Sequence, residues 1–179
     1  LWERETFNAL PSQATDAYDA RQYYQQLNQI EISLNTGRNF MTSYNGTDQL
    51  YGVLCGYPCC TSNMHQGWPK YTKHLWFASD DNGLAAMTFA PCHVTAKVAG
   101  GQEVTLKEET NYPFDETVRI TVSTKRKVTF PVSLRIPGWC ESPTLAVNGK
   151  ACDVSGAGTM ARIERQWKDG DVIELTLPM

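Results

Sequence analysis

The chain carries no cluster of lysine and arginine, and its net charge over 179 residues is −3. That leaves no electrostatic footprint for nucleic acid or for an anionic membrane. No apolar run is long enough to cross a bilayer, so no membrane span is expected. Internal repeats and low-complexity tracts are also missing, which excludes a solenoid and a disordered linker. There is no initiator methionine and no signal peptide. Leu1-Trp2-Glu3-Arg4-Glu5-Thr6-Phe7-Asn8-Ala9-Leu10 reads as mid-helix sequence with no N-cap before it, and the chain closes abruptly at Pro178-Met179. A piece of a longer protein is therefore expected, which leaves the compartment unassigned.

What is present divides near residue 78. Apolar content is 41% and charged content 20%, as in an ordinary globular protein. The first part is rich in Tyr, Gln, Asn and Trp and shows little period-two pattern. Residues 1–10 read as helix, 17–30 as either helix or extended chain, and 35–58 as loop. A helix is expected over 63–77, bent at Gly67 and Pro69. The second part alternates. Strands are expected over 83–90, 93–99, 103–109, 117–123, 127–136, 144–147, 159–165 and 171–177. Turns fall between them at Asp81-Asn82-Gly83, Gly100-Gly101, Asn148-Gly149 and Lys168-Asp169-Gly170, and Asn-Gly between strands signals a tight primed hairpin. Many short strands with even turn spacing predict an antiparallel β-sandwich over 78–179.

The chemistry concentrates in Cys55-Gly56-Tyr57-Pro58-Cys59-Cys60-Thr61-Ser62-Asn63. A disulfide between sequence neighbours is geometrically strained. Two adjacent thiols are better explained as metal ligands, or as a reactive thiolate beside a ligand. Thr61, Ser62 and Asn63 are all good N-cap residues, so a helix beginning there would offer its free N–H groups to a thiolate. Of the other cysteines, Cys55 reads as a buried thiol. Cys92, Cys140 and Cys152 lie on strand-like segments as buried free thiols, with a Cys140–Cys152 bridge as the alternative. His65 offers a protease-like dyad with a cysteine, against a plainer solvent-facing role. His74 and His93 read as structural or exposed. Trp68, Tyr71 and Trp76 recur at helical spacing and read as a core stripe, with a sugar-stacking platform as the minority reading.

Four segments in order resemble one family. Gly56-Tyr57-Pro58-Cys59-Cys60-Thr61-Ser62-Asn63 resembles the Cys-Cys-x-x-Asn motif of the β-L-arabinofuranosidase group, glycoside hydrolase family 127 and its relatives. Leu75-Trp76-Phe77-Ala78 through Asp81-Asn82-Gly83-Leu84 resembles the family's helix end and first sandwich strand. Leu134-Arg135-Ile136-Pro137-Gly138-Trp139 resembles a Leu-Arg-Ile-Pro-x-Trp strand, and Trp167-Lys168-Asp169-Gly170-Asp171 to Leu177-Pro178-Met179 resembles the closing Trp-x-x-Gly-Asp…Leu-Pro-Met. The resemblance implies an α+β fragment: C-terminal elements of an (α/α)6 barrel in residues 1–77, followed by an antiparallel β-sandwich in 78–179. It also implies retaining hydrolysis with a cysteine nucleophile and a zinc ion held by a glutamate and three cysteines. Carried over, Cys59 is nucleophile and zinc ligand and Cys60 a zinc ligand. The remaining ligands and the glutamate acid/base belong to the rest of the parent chain, which completes the site. Two departures stand on the sugar side. The family's Phe-Tyr-x-Asn-Pro-Leu aligns with 25–30, where Gln26 replaces a tyrosine, and Cys-Cys-Pro-x-Asn has become Cys-Cys-Thr-Ser-Asn. Gln26 and Asn28 are then expected to bind sugar hydroxyls.

The function expected is cleavage of β-L-arabinofuranosides or related furanosides, with carbohydrate as the partner and neither nucleic acid nor membrane. Two other readings compete with it. One is a non-catalytic, carbohydrate-associated β-sandwich with an incidental cysteine pair. The other is a cysteine hydrolase pairing Cys59 with His65. The family's setting in carbohydrate-degrading bacteria inclines the compartment to the periplasm, where zinc thiolates need shielding from oxidation.

Overall fold

The computed structural model describes residues 2–19 and 58–179. By internal contacts the chain divides into two compact units, Leu1–Tyr71 and Thr72–Met179. Gln26, Asn28 and Cys55 lie outside the described residues.

In the first unit, helical chain runs through α1 (Trp2–Arg4), a π-helical turn (Glu5–Ala9) and α2 (Leu10–Ser12). Helix is thus found where 1–10 predicted it. Two further short helices follow at α3 (Pro58–Met64) and α4 (Gly67–Lys73). The single bent helix expected over 63–77 is replaced by this pair. Helix begins at Pro58, because proline at the first helical position gives up no needed N–H and presets φ. It stops at Met64 and resumes at Gly67, so Pro69 sits in the first turn of α4, where it is tolerated and no kink is needed. Gly67 packs closely on the Leu10 side chain, and a Cβ there would lie 2.5 Å from Leu10 Cδ2, so that Leu10 would have to move. Tyr71 is buried, with Trp2 and Phe7 edge-on to its ring at 5.3 and 5.4 Å and Phe7 6.2 Å from Trp68. For Trp68 and Tyr71, core packing is the role observed.

The second unit holds ten strands: β1 (Trp76–Ala78), β2 (Leu84–Ala86), β3 (Cys92–Val98), β4 (Gln102–Thr110), β5 (Thr117–Thr124), β6 (Val128–Arg135), β7 (Thr144–Val147), β8 (Lys150–Cys152), β9 (Met160–Trp167) and β10 (Val172–Thr176). They form a four-stranded sheet ordered β1-β2-β6-β9 and a six-stranded sheet ordered β3-β4-β5-β10-β7-β8. One core lies between the two sheets. It takes Leu84, Phe130, Leu134 and Trp167 from the first, and Leu106, Ile120, Val147, Ile173 and Leu175 from the second. The alternation of the sequence is the alternation of this burial.

Three differences from expectation have physical causes. First, Trp76–Ala78 is a strand and not a helix end; it is held on β2 through Trp76↔Ala86 and Ala78↔Leu84. Second, the sandwich is not wholly antiparallel, because β2 runs parallel to β6. The chain leaves β2 for the other sheet and re-enters at β6, so no hairpin imposes antiparallel pairing. Third, the turn expected at Lys168-Asp169-Gly170 is present, closed by the Asp171 N–H donating to the Lys168 carbonyl at 3.1 Å, but it carries the chain from one sheet to the other, since β9 pairs β6 while β10 pairs β5 and β7. Asn148-Gly149 does behave as its sequence predicts. Both residues take positive φ, 52° and 74°, and join β7 to β8. Pro131 stands inside β6, a central strand, which proline normally avoids. Here β2 begins pairing only at Leu84↔Val132, and the preceding Gly83 lies so close to Pro131 that a Cβ would sit 2.3 Å from its carbonyl oxygen.

Candidate active site

Pro58 opens α3, and Cys59 and Cys60 follow within its first turn. Thr61, Ser62 and Asn63 are therefore inside the helix and not its caps. Two of them have another task. Ser62 Oγ donates to the Cys59 carbonyl at 3.1 Å and Asn63 Nδ2 donates to the same oxygen at 2.8 Å. Asn63 is held in turn, because Gln66 Nε2 donates to its Oδ1 at 2.6 Å and the Gln66 N–H to its carbonyl at 3.0 Å. A chain of side-chain amides thus runs from the end of α3 back to the backbone of Cys59. This gives the asparagine of the Cys-Cys-x-x-Asn pattern a physical function at four residues' spacing, one helical turn.

The Cys59 side chain is exposed. Its location makes it reachable by a solute, unlike Cys140, which is buried. His65 is exposed and makes no hydrogen bond among the described residues, so the Cys59–His65 dyad gains no geometric support. Cys92, Cys140 and Cys152 are free thiols and no Cys140–Cys152 bridge is formed. The cysteine pair suits zinc in kind, since thiolates are among its preferred donors. Among the described residues no group of three or more His, Cys, Asp or Glu side chains comes together.

The sandwich contains an acidic group that the sequence reading passed over. Glu108 on β4 is 2% exposed. Trp76 Nε1 on β1 donates to its Oε2 at 2.7 Å, and the Ala90 N–H to its Oε1 at 3.1 Å. Cys92 Sγ lies 3.7 Å from Oε2. Glu108 thereby links the six-stranded sheet to the edge strand of the other. Burial pushes its carboxyl up to about 7, against the three donors that favour the charged form. Burial also pushes the Cys92 thiol up to about 12, with the Glu108 charge adding to it. Trp76 belongs to this network and not to the helical stripe. A signal was present in the sequence: Val104, Leu106 and Glu108 share one phase of the alternation, which places a glutamate on the core-facing side.

The other family-like segments are structural. Trp167 is buried and donates from Nε1 to the Phe130 carbonyl at 2.9 Å, while the Arg165 guanidinium lies 5.3 Å from its ring centroid. Asp171 is 1% exposed and accepts from Asn148 Nδ2 at 2.9 Å and from the Lys168 N–H at 3.0 Å. Burial alone would raise its carboxyl, but these donors and the Arg165 charge outweigh it and hold it low. The Asn148-Gly149 hairpin and the Lys168–Asp171 turn are joined through this side chain and through Asn148, which exchanges hydrogen bonds of 2.8 Å with the Val172 backbone.

Comparison with known proteins points to one family. The family described as β-L-arabinofuranosidase, GH127 middle domain, matches residues 83–179. A non-reducing end β-L-arabinofuranosidase of Bifidobacterium longum subsp. longum is 31% identical over 156 residues, covering 83% of this chain and 22% of that protein. Among solved structures, a GH127 β-L-arabinofuranosidase from Geobacillus stearothermophilus T6 superposes with a TM-score of 0.62 at 31% identity, over 68% of this chain and 19% of that one. A glycoside hydrolase superposes over 97% of this chain and 27% of its own with a TM-score of 0.78; at 23% identity it bears on the fold alone. The chain thus spans about a fifth to a quarter of the length of these relatives.

Proposed function

The chain belongs to the GH127 β-L-arabinofuranosidase family, and from that premise we propose that its parent protein is a retaining glycoside hydrolase acting on β-L-arabinofuranosides or related furanosides, with Cys59 as nucleophile. The observation that carries this reading is an exposed thiol on the first turn of α3, its carbonyl clamped by Ser62 and Asn63. The clamp fixes the backbone from which the sulfur projects, and exposure lets a sugar approach.

In the reaction the Cys59 sulfur, as thiolate, attacks the anomeric carbon. The C–S bond forms as the glycosidic C–O bond breaks, and the leaving oxygen takes a proton from an acid elsewhere in the parent chain. Water then gives its proton to the group that acted as acid and attacks the anomeric carbon from the face opposite the sulfur, which leaves as thiolate, so two inversions give retention. Only the thiolate is competent. Zinc held by Cys59, Cys60 and ligands from the rest of the parent would keep the sulfur deprotonated and ease its departure in the second step. Cys60, the adjacent ligand, would retain the metal while Cys59 reacts. Gln26 and Asn28 remain the proposed hydroxyl-binding residues.

The test is metal content together with hydrolysis of p-nitrophenyl β-L-arabinofuranoside by the full-length parent and its Cys59→Ser variant. Zinc with Cys59-dependent hydrolysis is the expected result. Wild-type turnover in a folded Cys59→Ser protein would remove Cys59 from the mechanism. Neither zinc nor hydrolysis would favour a non-catalytic sandwich module.

A further inference from the structure

Glu108 sits where strands of both sheets meet. It lies on β4, inside the six-stranded sheet, with Cys92 on β3 and Ile120 on β5 as its neighbours in register. Trp76 reaches it from the other sheet, and the Ala90 N–H from the chain entering β3. The charged side chains on the flanking strands, His93, Lys107, Glu109 and Arg119, fall in the opposite phase and are exposed. A carboxylate at this place is held by an indole N–H, a backbone N–H and a thiol, and the residues that face it carry no cation. Loss of its proton therefore leaves a buried charge that its donors compensate only in part.

The same corner is weakly secured. Trp76 opens β1, an edge strand of three residues that pairs with β2. Its other face carries the exposed Phe77, with the His74 ring 5.9 Å away. The segment between β2 and β3 supplies the Ala90 donor, and it also buries Thr88, whose hydroxyl has no hydrogen-bond partner among the described residues. An unmet buried hydroxyl weakens that segment further. Short pairing at a sheet edge marks an element that opens locally before the whole domain unfolds.

We propose that Glu108 is a proton-controlled latch for β1. With the proton bound, Trp76 and the Ala90 segment stay seated on it. When the proton leaves, β1 comes away from β2 and water reaches the carboxylate, while the rest of both sheets stays paired. The neutral form is satisfied in place. Its O–H needs an acceptor, and the Cys92 sulfur, a donor to the carboxylate at 3.7 Å, can reverse its role. The working range follows from burial, which pushes the carboxyl up to about 7 against an ordinary 4.5. Because the folded value is the higher one, the latch is tightest below 4.5, loosens as pH rises to 7 and changes no further beyond. The Cys92 thiol, pushed up to about 12, stays neutral throughout. Strand β1 follows closely on α4, so the latch acts on the chain as it enters the sandwich, whether or not Cys59 is the nucleophile.

Amide hydrogen exchange of the full-length parent tests this. It is read by mass spectrometry on the segments holding β1 and β5, corrected for the intrinsic exchange rate at each pH. From pH 5 to pH 8 the opening of β1 should rise roughly seventyfold. At pH 8 β1 should exchange well ahead of β5. In Glu108→Gln, which is uncharged at both pH values, the rise should vanish. No rise in the wild type overturns the proposal. So does a rise that persists in Glu108→Gln, which would move the titration to His74. Exchange of β1 and β5 in step also overturns it, because the whole sandwich then opens together. Trp76→Phe keeps a ring, lacks the indole N–H and leaves the carboxyl in place. Its β1 should exchange faster than wild type at both pH values, by the larger factor at pH 8, since a hydrogen bond to a carboxylate is stronger than one to the neutral acid. A β1 segment unchanged by Trp76→Phe overturns the latch even where Glu108→Gln fails to fold.

Discussion

The two units differ in what they can do alone. In the described part of the first, Thr6 and Tyr71 are the buried residues, and the thiol proposed for chemistry is exposed. In the second, more than twenty apolar side chains close around one another, and its polar groups at Glu108 and Asp171 are met by donors from within the same unit. A fold that meets its buried carboxylates from within can serve as a frame, although the buried Thr88 hydroxyl has no hydrogen-bond partner among the described residues. A short helix carrying an exposed cysteine gains its purpose from what surrounds it. The family match falls on residues 83–179, and the chemistry proposed here falls before it.

That contrast can be broken most sharply at Cys59. In the parent protein Cys59→Ser should lower turnover at least roughly a thousandfold while leaving the circular dichroism spectrum intact. A variant with near-normal turnover would mean the first unit is as structural as the second. Next in size is Trp167→Ala, which removes the largest fully buried side chain and the donor to the Phe130 carbonyl. A loss of about 3–5 kcal/mol is expected by denaturant titration, and a loss under about 1 kcal/mol would show that the core does not depend on it.

A third test uses pH. The folded carboxyl of Glu108 lies at about 7 against an ordinary 4.5. The native state therefore binds the extra proton, and this group's contribution is most favourable below 4.5. It declines as pH rises to 7 and is flat beyond, a span of about 3 kcal/mol. The acids held low, Asp81, Glu109 and Asp171, release their stabilisation at more acid pH and leave this window clear. The wild-type sandwich should melt higher at pH 5 than at pH 8, and Glu108→Gln should abolish the difference. Equal slopes for the two proteins would place the effect elsewhere.

Smaller effects probe how each unit is pinned. Asn63→Ala removes a 2.8 Å bond to the Cys59 carbonyl and should cost about 1 kcal/mol of helix stability, with kcat reduced no more than about tenfold. An unchanged kcat would show that the clamp does not position the thiol. Gly149→Ala, at φ 74°, should cost about 1 kcal/mol in the β7–β8 hairpin without touching activity.

Much of the frame was legible from residue order. Strands β3 through β7, β9 and β10 fall on their alternating segments, because one face of each is buried and the period is fixed at two. Trp76–Ala78 was missed because three residues following a helix carry no period of their own; pairing with β2 makes them a strand. Lys150–Cys152 is as short, and becomes a strand only by folding back on β7. The cysteine pair was conspicuous at once, whereas the role of Asn63 was not, since a good capping residue reads identically inside a helix and before one.

By itself, then, the sequence determined the second unit's longer strands, its Asn148-Gly149 turn, the adjacent thiols and the family, all of which depend on neighbours along the chain. Only the tertiary structure decided the parallel β2–β6 pair, the β9–β10 crossing, the carboxylate of Glu108 shared between sheets and the exposure of Phe114. Those depend on which segments meet across the core. Burial, pairing direction and a shifted proton affinity are properties of that meeting, and no local pattern encodes them.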